Sequence, residues 1–138
     1  MSQAIESLLA AQERAMKSRP KVGGFPFLAE ALRAAGVTRN RWTLPSCQSF
    51  FETTLGPVIM QGTPLVSGAV DVPPFDREAF IRALRADQAG LCTFPEFLMG
   101  SWKAGVIAYD VDFVNRKVTY FGCGGEEYTE EYPLVDVG

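Results

Sequence analysis

One stretch of this chain is written twice. Phe25-Pro26 through Ala35-Gly36-Val37 is answered by Phe94-Pro95 through Ala104-Gly105-Val106, 69 positions later and without a gap. A unit used twice presents two equivalent helical stripes and two equivalent sheet faces, and each stripe is a natural partner for a face. The 138 residues suit one compact domain that buries roughly two thirds of its unfolded surface. The expectation is a single domain over 1–138, with pseudo-repeats at about 1–61 and 76–134 joined by a loop at 62–75.

Periodicity fills in each half. Ile5, Leu8, Leu9, Gln12, Ala15 and Met16 recur near a spacing of 3.6 and predict an amphipathic first helix between Met1 and Arg19. A second helix starts around Pro26, carries Leu28, Ala31, Leu32 and Ala35 on one face, and closes at Gly36. Arg39 to Leu44, Gln48 to Thr54 and Pro57 to Gln61 read as strands separated by Pro, Ser and Gly. The second half repeats the order. Asp76 caps a helix bearing Phe80, Ile81 and Leu84, and Thr93-x-x-Glu96 is a capping box that opens the next. Ile107, Tyr109, Val111 and Phe113 alternate with Ala108, Asp110 and Asp112, the period of a half-buried strand. A turn at Asn115-Arg116 returns Val118 and Tyr120 to the inner face and sets Phe121 opposite Asp110 on the outer one, before a last strand at Glu127 to Tyr132. The fold class is α+β, two αα-βββ units with antiparallel sheet packed against helices. In the loop, Leu65, Val66, Val70 and Val72 predict that it packs down.

Composition removes several functions. Histidine is absent, and with it the commonest general base, the usual partner of Ser and Cys nucleophiles and the commonest metal ligand. A net charge of −3 without a basic stripe argues against nucleic acid. Cys47, Cys92 and Cys123 are odd in number and widely spaced, so they suggest neither a disulfide framework nor a zinc site. The first helix carries Glu6 and Glu13 and has no continuous apolar run, which reads as neither signal peptide nor membrane span. A soluble cytoplasmic protein without metal or other cofactor is the expectation.

The remaining candidates are few. Asp110 and Asp112 face outward on one strand and lie near Glu127 and Glu131, a pattern that a solvated strand also produces. Arg39 and Arg41 correspond in the repeat to Ala108 and Asp110, so opposite charges would meet if the two meanders join about a pseudo-twofold. Gly122-Cys123-Gly124-Gly125 precedes an acidic strand and reads as a turn, not a phosphate loop. Cys92 sits near a helix entrance, where a thiolate is favoured, although cysteine is more commonly buried. Phe121, an aromatic on a polar face, is available to a partner or covered by a loop.

Phe25-Pro26 with Ala35-Gly36-Val37, Gln88-x-Gly90 leading to Phe94 and Phe97, Ala104-Gly105-Val106 with Tyr109 and Asp112, and Tyr120 through Tyr128 to Pro133 form a wider pattern. Through it, from about Gly24 to Leu134, the chain resembles the YbcV-like family of small uncharacterised bacterial and prophage-borne proteins, sometimes labelled phage envelope protein. The resemblance implies no activity, cofactor or catalytic residue. Other members carry histidines, one of them just before the Gln-x-Gly element where this chain has Asp87, so a histidine-dependent chemistry could not operate here unchanged.

The leading reading is a non-catalytic binding or protein-interaction module that forms a homodimer, because three-stranded meanders leave edges to be covered. Its rival is a small-molecule-binding enzyme with a site between the two repeats, using Gln88 and Asp112 as polar contacts, Cys92 as reactive group, and Tyr109 and Phe121 as further contacts. A phage or prophage accessory role is implied by the resemblance alone.

Overall fold

In the computed structural model, which describes residues 2–137, Ser2 caps α1 (Gln3–Ser18) by accepting from the Ile5 amide. Met1 and Gly138, the ends of the expected domain, lie outside the described residues. The buried face of α1 is Ala4, Leu8, Ala11 and Ala15, while Leu9 and Met16, expected on that stripe, stay exposed. Three alanines let the helix approach closely along their own line, which turns the larger pair outward. α2 (Phe25–Ala34) carries Pro26 in its first turn and ends at Gly36, whose φ of 96° suits glycine. A Cβ there would meet Thr54 Oγ1 at 2.4 Å, and its counterpart Gly105 is equally closed in by Pro74 O at 2.4 Å. The two glycines thus end equivalent helices and turn the chain into equivalent strands.

The strands are β1 (Val37–Thr43), β2 (Gln48–Thr53) and β3 (Val58–Gln61) in the first half. After the loop come α3 (Arg77–Gln88) and α4 (Phe94–Lys103), capped by Asp76 and by the Thr93–Glu96 capping box, then β4 (Val106–Asp112), β5 (Lys117–Gly122) and β6 (Glu127–Glu131). The αα-βββ order therefore occurs twice, and the fold is α+β. The two meanders merge into one antiparallel six-stranded sheet in the order β3-β2-β1-β4-β5-β6. Where β1 meets β4, Arg41 faces Asp110, the residue that corresponds to it in the repeat, so a pseudo-twofold passes between them. Asp110 accepts from Arg39 Nη2 at 2.8 Å and from Arg41 Nη1 at 2.9 and 3.0 Å, the charge pairing expected from the offset.

Alternation gives the sheet two unlike faces. Phe51, Tyr109, Val111, Val118 and Tyr120 point to the helices and join one core with Leu8, Leu32, Phe80, Leu84 and Trp102. Phe80 is fully enclosed and lies 4.5 Å from the Tyr120 ring; burying a side chain of this size contributes about 1.5–3 kcal/mol. The other face carries Arg39, Arg41, Phe50, Ile59, Asp110 and Phe121. The register on that face differs from the expected one: Asp110 pairs with Thr119, and Phe121 with Ala108. The β4–β5 turn occupies Phe113 to Arg116, two residues more than expected, and a slip of two keeps every side chain on its own face.

The loop at 62–75 passes the β1–β2 turn, where the Leu65 amide donates to Pro45 O at 2.9 Å. Leu65 and Val66 pack against the core, whereas Val70 and Val72 are exposed, so only its first part packs down as expected. Among the described residues no helix is long and apolar enough to cross a membrane.

Candidate functional site

Trp42 on β1 and Tyr109 on β4 stand opposite each other on the helix-covered face, beside the pseudo-twofold. Their rings stack with centroids 6.0 Å apart, and the row continues to Tyr120 at 5.5 Å and on to Tyr128 at 6.4 Å. Helix packing is chiefly within each half, α1 on α2 and α3 on α4, so this aromatic row runs under the junction of two helical pairs. Trp42 is half-buried and is met edge-on by Phe94, which opens to solvent. On the β2 side a pocket of about 190 Å³ is lined by Gln12, Trp42, Ser49, Phe51 and Met60, with Gln61 and Gly62 at its margin. Its polar floor is satisfied, since buried Asn40 donates to Ser49 Oγ at 2.7 Å and to Phe50 O at 3.1 Å.

On the β4 side the last turn of α3 brings Asp87 to the row. Burial pushes its carboxyl above the usual range, and the Arg19 guanidinium opposes that shift. The Asp87 charge acts on the hydroxyls of Tyr109 and Tyr120, both of which are pushed up, chiefly by their own burial. It also reaches Cys92, in the α3–α4 loop, whose thiol is raised by burial first and then by Asp87 and Glu96. A thiol raised in this way stays protonated at neutral pH, which is the reverse of an activated nucleophile.

Beside this cluster, Arg85 and Gln88 reach from α3 to the edge strand β6. Arg85 donates to Glu130 at 2.5 and 3.0 Å and to Gln88 Oε1 at 2.7 Å; Gln88 Nε2 donates to Glu130 at 3.1 Å, and the Tyr128 hydroxyl also bonds Glu130. The Arg85 bonds foremost, with those from Tyr128 and Gln88, hold the Glu130 carboxyl at about 2. Arg77 lies over the Tyr128 ring at 4.7 Å. This is a closed set of partners that ties α3 to the sheet edge.

Of the residues expected at a site, Cys92 and Tyr109 are raised chiefly by burial and then in part by the Asp87 charge, and Gln88 follows Asp87 on α3 with its amide turned to Glu130. Asp112 is elsewhere. It closes the β4–β5 turn by accepting from the Val114 and Asn115 amides at 3.0 Å, and although burial pushes its carboxyl up, the Asn115 and Val114 bonds outweigh that and hold it below the usual range. Phe121 lies on the opposite face of the sheet under Arg41, 5.3 Å from ring centre to guanidinium. Asp87 and Tyr120 were not expected as site residues. The signal for Asp87 was its place on the stripe Phe80, Leu84, Asp87, an acid on the buried side of a helix.

A larger recess of about 420 Å³ lies at the far end of the sheet, lined by Arg33, Val37, Thr38, Thr54, Arg116 and Leu134 among others. Arg33 is bound to Glu30 there. Among the described residues no group of His, Cys, Asp and Glu is placed to hold a metal ion.

The chain is similar to Uncharacterized protein Rv2012 of Mycobacterium tuberculosis (strain ATCC 25618 / H37Rv) and to Uncharacterized protein Mb2035 of Mycobacterium bovis (strain ATCC BAA-935 / AF2122/97). Each is 53% identical over 136 residues, covering 99% of this chain and 83% of the relative. No family model matches the chain.

Proposed function

For a chain that belongs to one family with these mycobacterial proteins, we propose a non-catalytic protein-interaction module that pairs with a second copy of itself through the uncovered face of its sheet. One observation carries this reading: all four helices serve one face, and the other shows Phe50 and Ile59, 36% and 59% exposed, side by side on β2 and β3. With Arg41, which lies over Phe121 of β5, they form an apolar region on β1 to β3 where Arg39 and Arg41 outnumber Glu52, next to one on β4 to β6 where Asp112, Glu127 and Glu131 outnumber Lys117. A twofold packing lays each region of one copy on the opposite region of the other, which joins apolar burial to charge complementarity. Pairing through the β6 edge is less favourable, because Glu127 and Glu131 repeat along it and like charges guard an edge.

The test is sedimentation velocity of the protein and of its Phe50→Asp and Ile59→Asp variants. A dimer that both substitutions dissociate while circular dichroism stays unchanged supports the reading. A dimer indifferent to both places the interface elsewhere, and a monomer at all concentrations removes self-pairing.

A further inference from the structure

The pseudo-twofold relates the two ends of the sheet, and they differ in what lies across them. At one end the segment 62–75 crosses the sheet. It leaves β3 with the Gly62 amide donating to Cys47 O at 2.9 Å, passes the β1–β2 turn where Leu65 bonds Pro45, and reaches α3 with the Asp76 amide donating to Ala104 O at 2.8 Å. Its contact with the sheet is close: a Cβ on Gly105 would meet Pro74 O at 2.4 Å, and one on Gly122 would meet Phe75 Cβ at 2.9 Å. At the other end the chain begins the same course after β6. The Tyr132 amide donates to Arg116 O at 3.1 Å, and Arg116 lies 69 positions after Cys47 and shares its left-handed backbone, with φ of 55° against 56°. Leu134, which lies 69 positions after Leu65, then forms part of the wall of the recess of about 420 Å³. The rest of that wall retraces the segment's path: Val114 answers Pro45, Arg116 answers Cys47 and Gly36 answers Gly105, each at the same offset.

From this correspondence we infer that the recess is a docking groove for an extended apolar peptide carrying an acidic residue, supplied by a partner protein and laid across this end of the sheet as 66–75 is laid across the other. Val114 and Leu134, 61% and 65% exposed, offer apolar surface for such a segment to bury. The charge of the groove selects the acidic residue. Arg33 and Arg116 stand where the covered end has the buried Trp102 and Cys47. Glu30 answers Arg33, and Asp112 is held by the amides of its own turn, so the lining stays net positive and suits a carboxylate. Arg116 is marked by its backbone as well, since glycine or asparagine adopts that left-handed conformation more readily than arginine. At the far side of the groove Thr54 Oγ1 lies over Gly36 as Pro74 O lies over Gly105, and presents a hydroxyl to an incoming backbone. The groove is at the end of the sheet, so it stands or falls independently of self-pairing through the uncovered face.

The probe is a synthetic peptide with the sequence of residues 64–76, which carries Asp71 and Asp76 and fits the equivalent end of the sheet. It is titrated into ¹⁵N-labelled protein and followed by amide shifts. Saturable shifts centred on Gly36, Thr38, Thr54 and Arg116 are expected. Arg116→Gly suits the left-handed backbone and so keeps the fold, and it should weaken binding about threefold or more. Val114→Glu, at an exposed wall position, should weaken it about tenfold or more. A peptide bearing Asp71→Asn and Asp76→Asn should lose about as much as Arg116→Gly costs. Shifts that are linear or scattered, shifts centred instead on Ser46 and Gly105, or binding unchanged by these substitutions would overturn the inference. Sedimentation velocity of the same samples reports the dimer separately.

Discussion

Reversing the charge of Arg41 tests how the two halves are held in register. Arg41 stands directly across from Asp110 and shares that carboxylate with Arg39; the arginine side chains are 45% and 51% exposed and the aspartate 15%. Arg41→Glu removes one of the two ion pairs, places like charges opposite each other, and withdraws the guanidinium from the Phe121 ring. An exposed pair contributes about 0.2–1 kcal/mol, a direct like-charge pair costs a similar amount, and an exposed cation–π contact about 0.5–1 kcal/mol. Half-exposed arginines are screened by water, so the total lies at about 1–2 kcal/mol. For a chain of 138 residues that lowers Tm by roughly 3–8 °C. The assay is thermal unfolding by circular dichroism at pH 7 in low salt and again in 1 M NaCl. High salt should narrow the gap between protein and variant, since the Debye length falls to about 3 Å. Exchanging the pair, Arg41→Asp with Asp110→Arg, should recover part of the loss, the rest being the carboxylate that Arg39 no longer meets. A variant that melts with the parent at both salt concentrations would refute the claim that these charges fix the central register.

Acid should weaken the tie between α3 and β6 in a defined window. Glu130 sits at about 2 in the folded protein against an ordinary 4.5, so its contribution is fully present above about pH 5 and is lost as pH falls toward 2. With Arg85 half exposed, screening reduces that contribution to about 1–2 kcal/mol, and Glu130→Gln should flatten the fall in urea midpoint between pH 6 and about pH 3. A parallel fall in the variant would place the acid sensitivity elsewhere. The cysteines should react in a fixed order with iodoacetamide at pH 7.5, read by mass spectrometry of peptides: exposed Cys123 first, Cys92 slowly, and Cys47 only on unfolding. Cys92 reacting ahead of Cys123 would contradict the protonated thiol described above.

Much of this architecture was legible because local signals agreed. The capping box at Thr93 and Glu96, Gly36 and Gly105 after their helices, and the alternation from Ile107 to Phe113 each demand one local structure. The offset between repeats went further and set Arg41 against Asp110, a contact between residues far apart in the chain. The exact β4–β5 pairing was not legible, because Asn115-Arg116 signals a turn without fixing its length. Nor was the exposure of Met16, since periodicity ranks apolar residues by size whereas packing favoured the alanines beside it. The aromatic row was half visible. Tyr109 and Cys92 stood out by type, but Asp87 gains its meaning only from what α3 lays it against, and Asp112 had the right chemistry in a turn that already uses it.

The central claim is that the helix-free face of the sheet is where this protein meets its partner, a second copy of itself. Native mass spectrometry of the purified chain tests it most directly. The account predicts a principal species at twice the 15.1 kDa chain mass, shifting to the single chain when Phe50→Asp is introduced. A single-chain mass for the unmodified protein across the whole concentration range would contradict it.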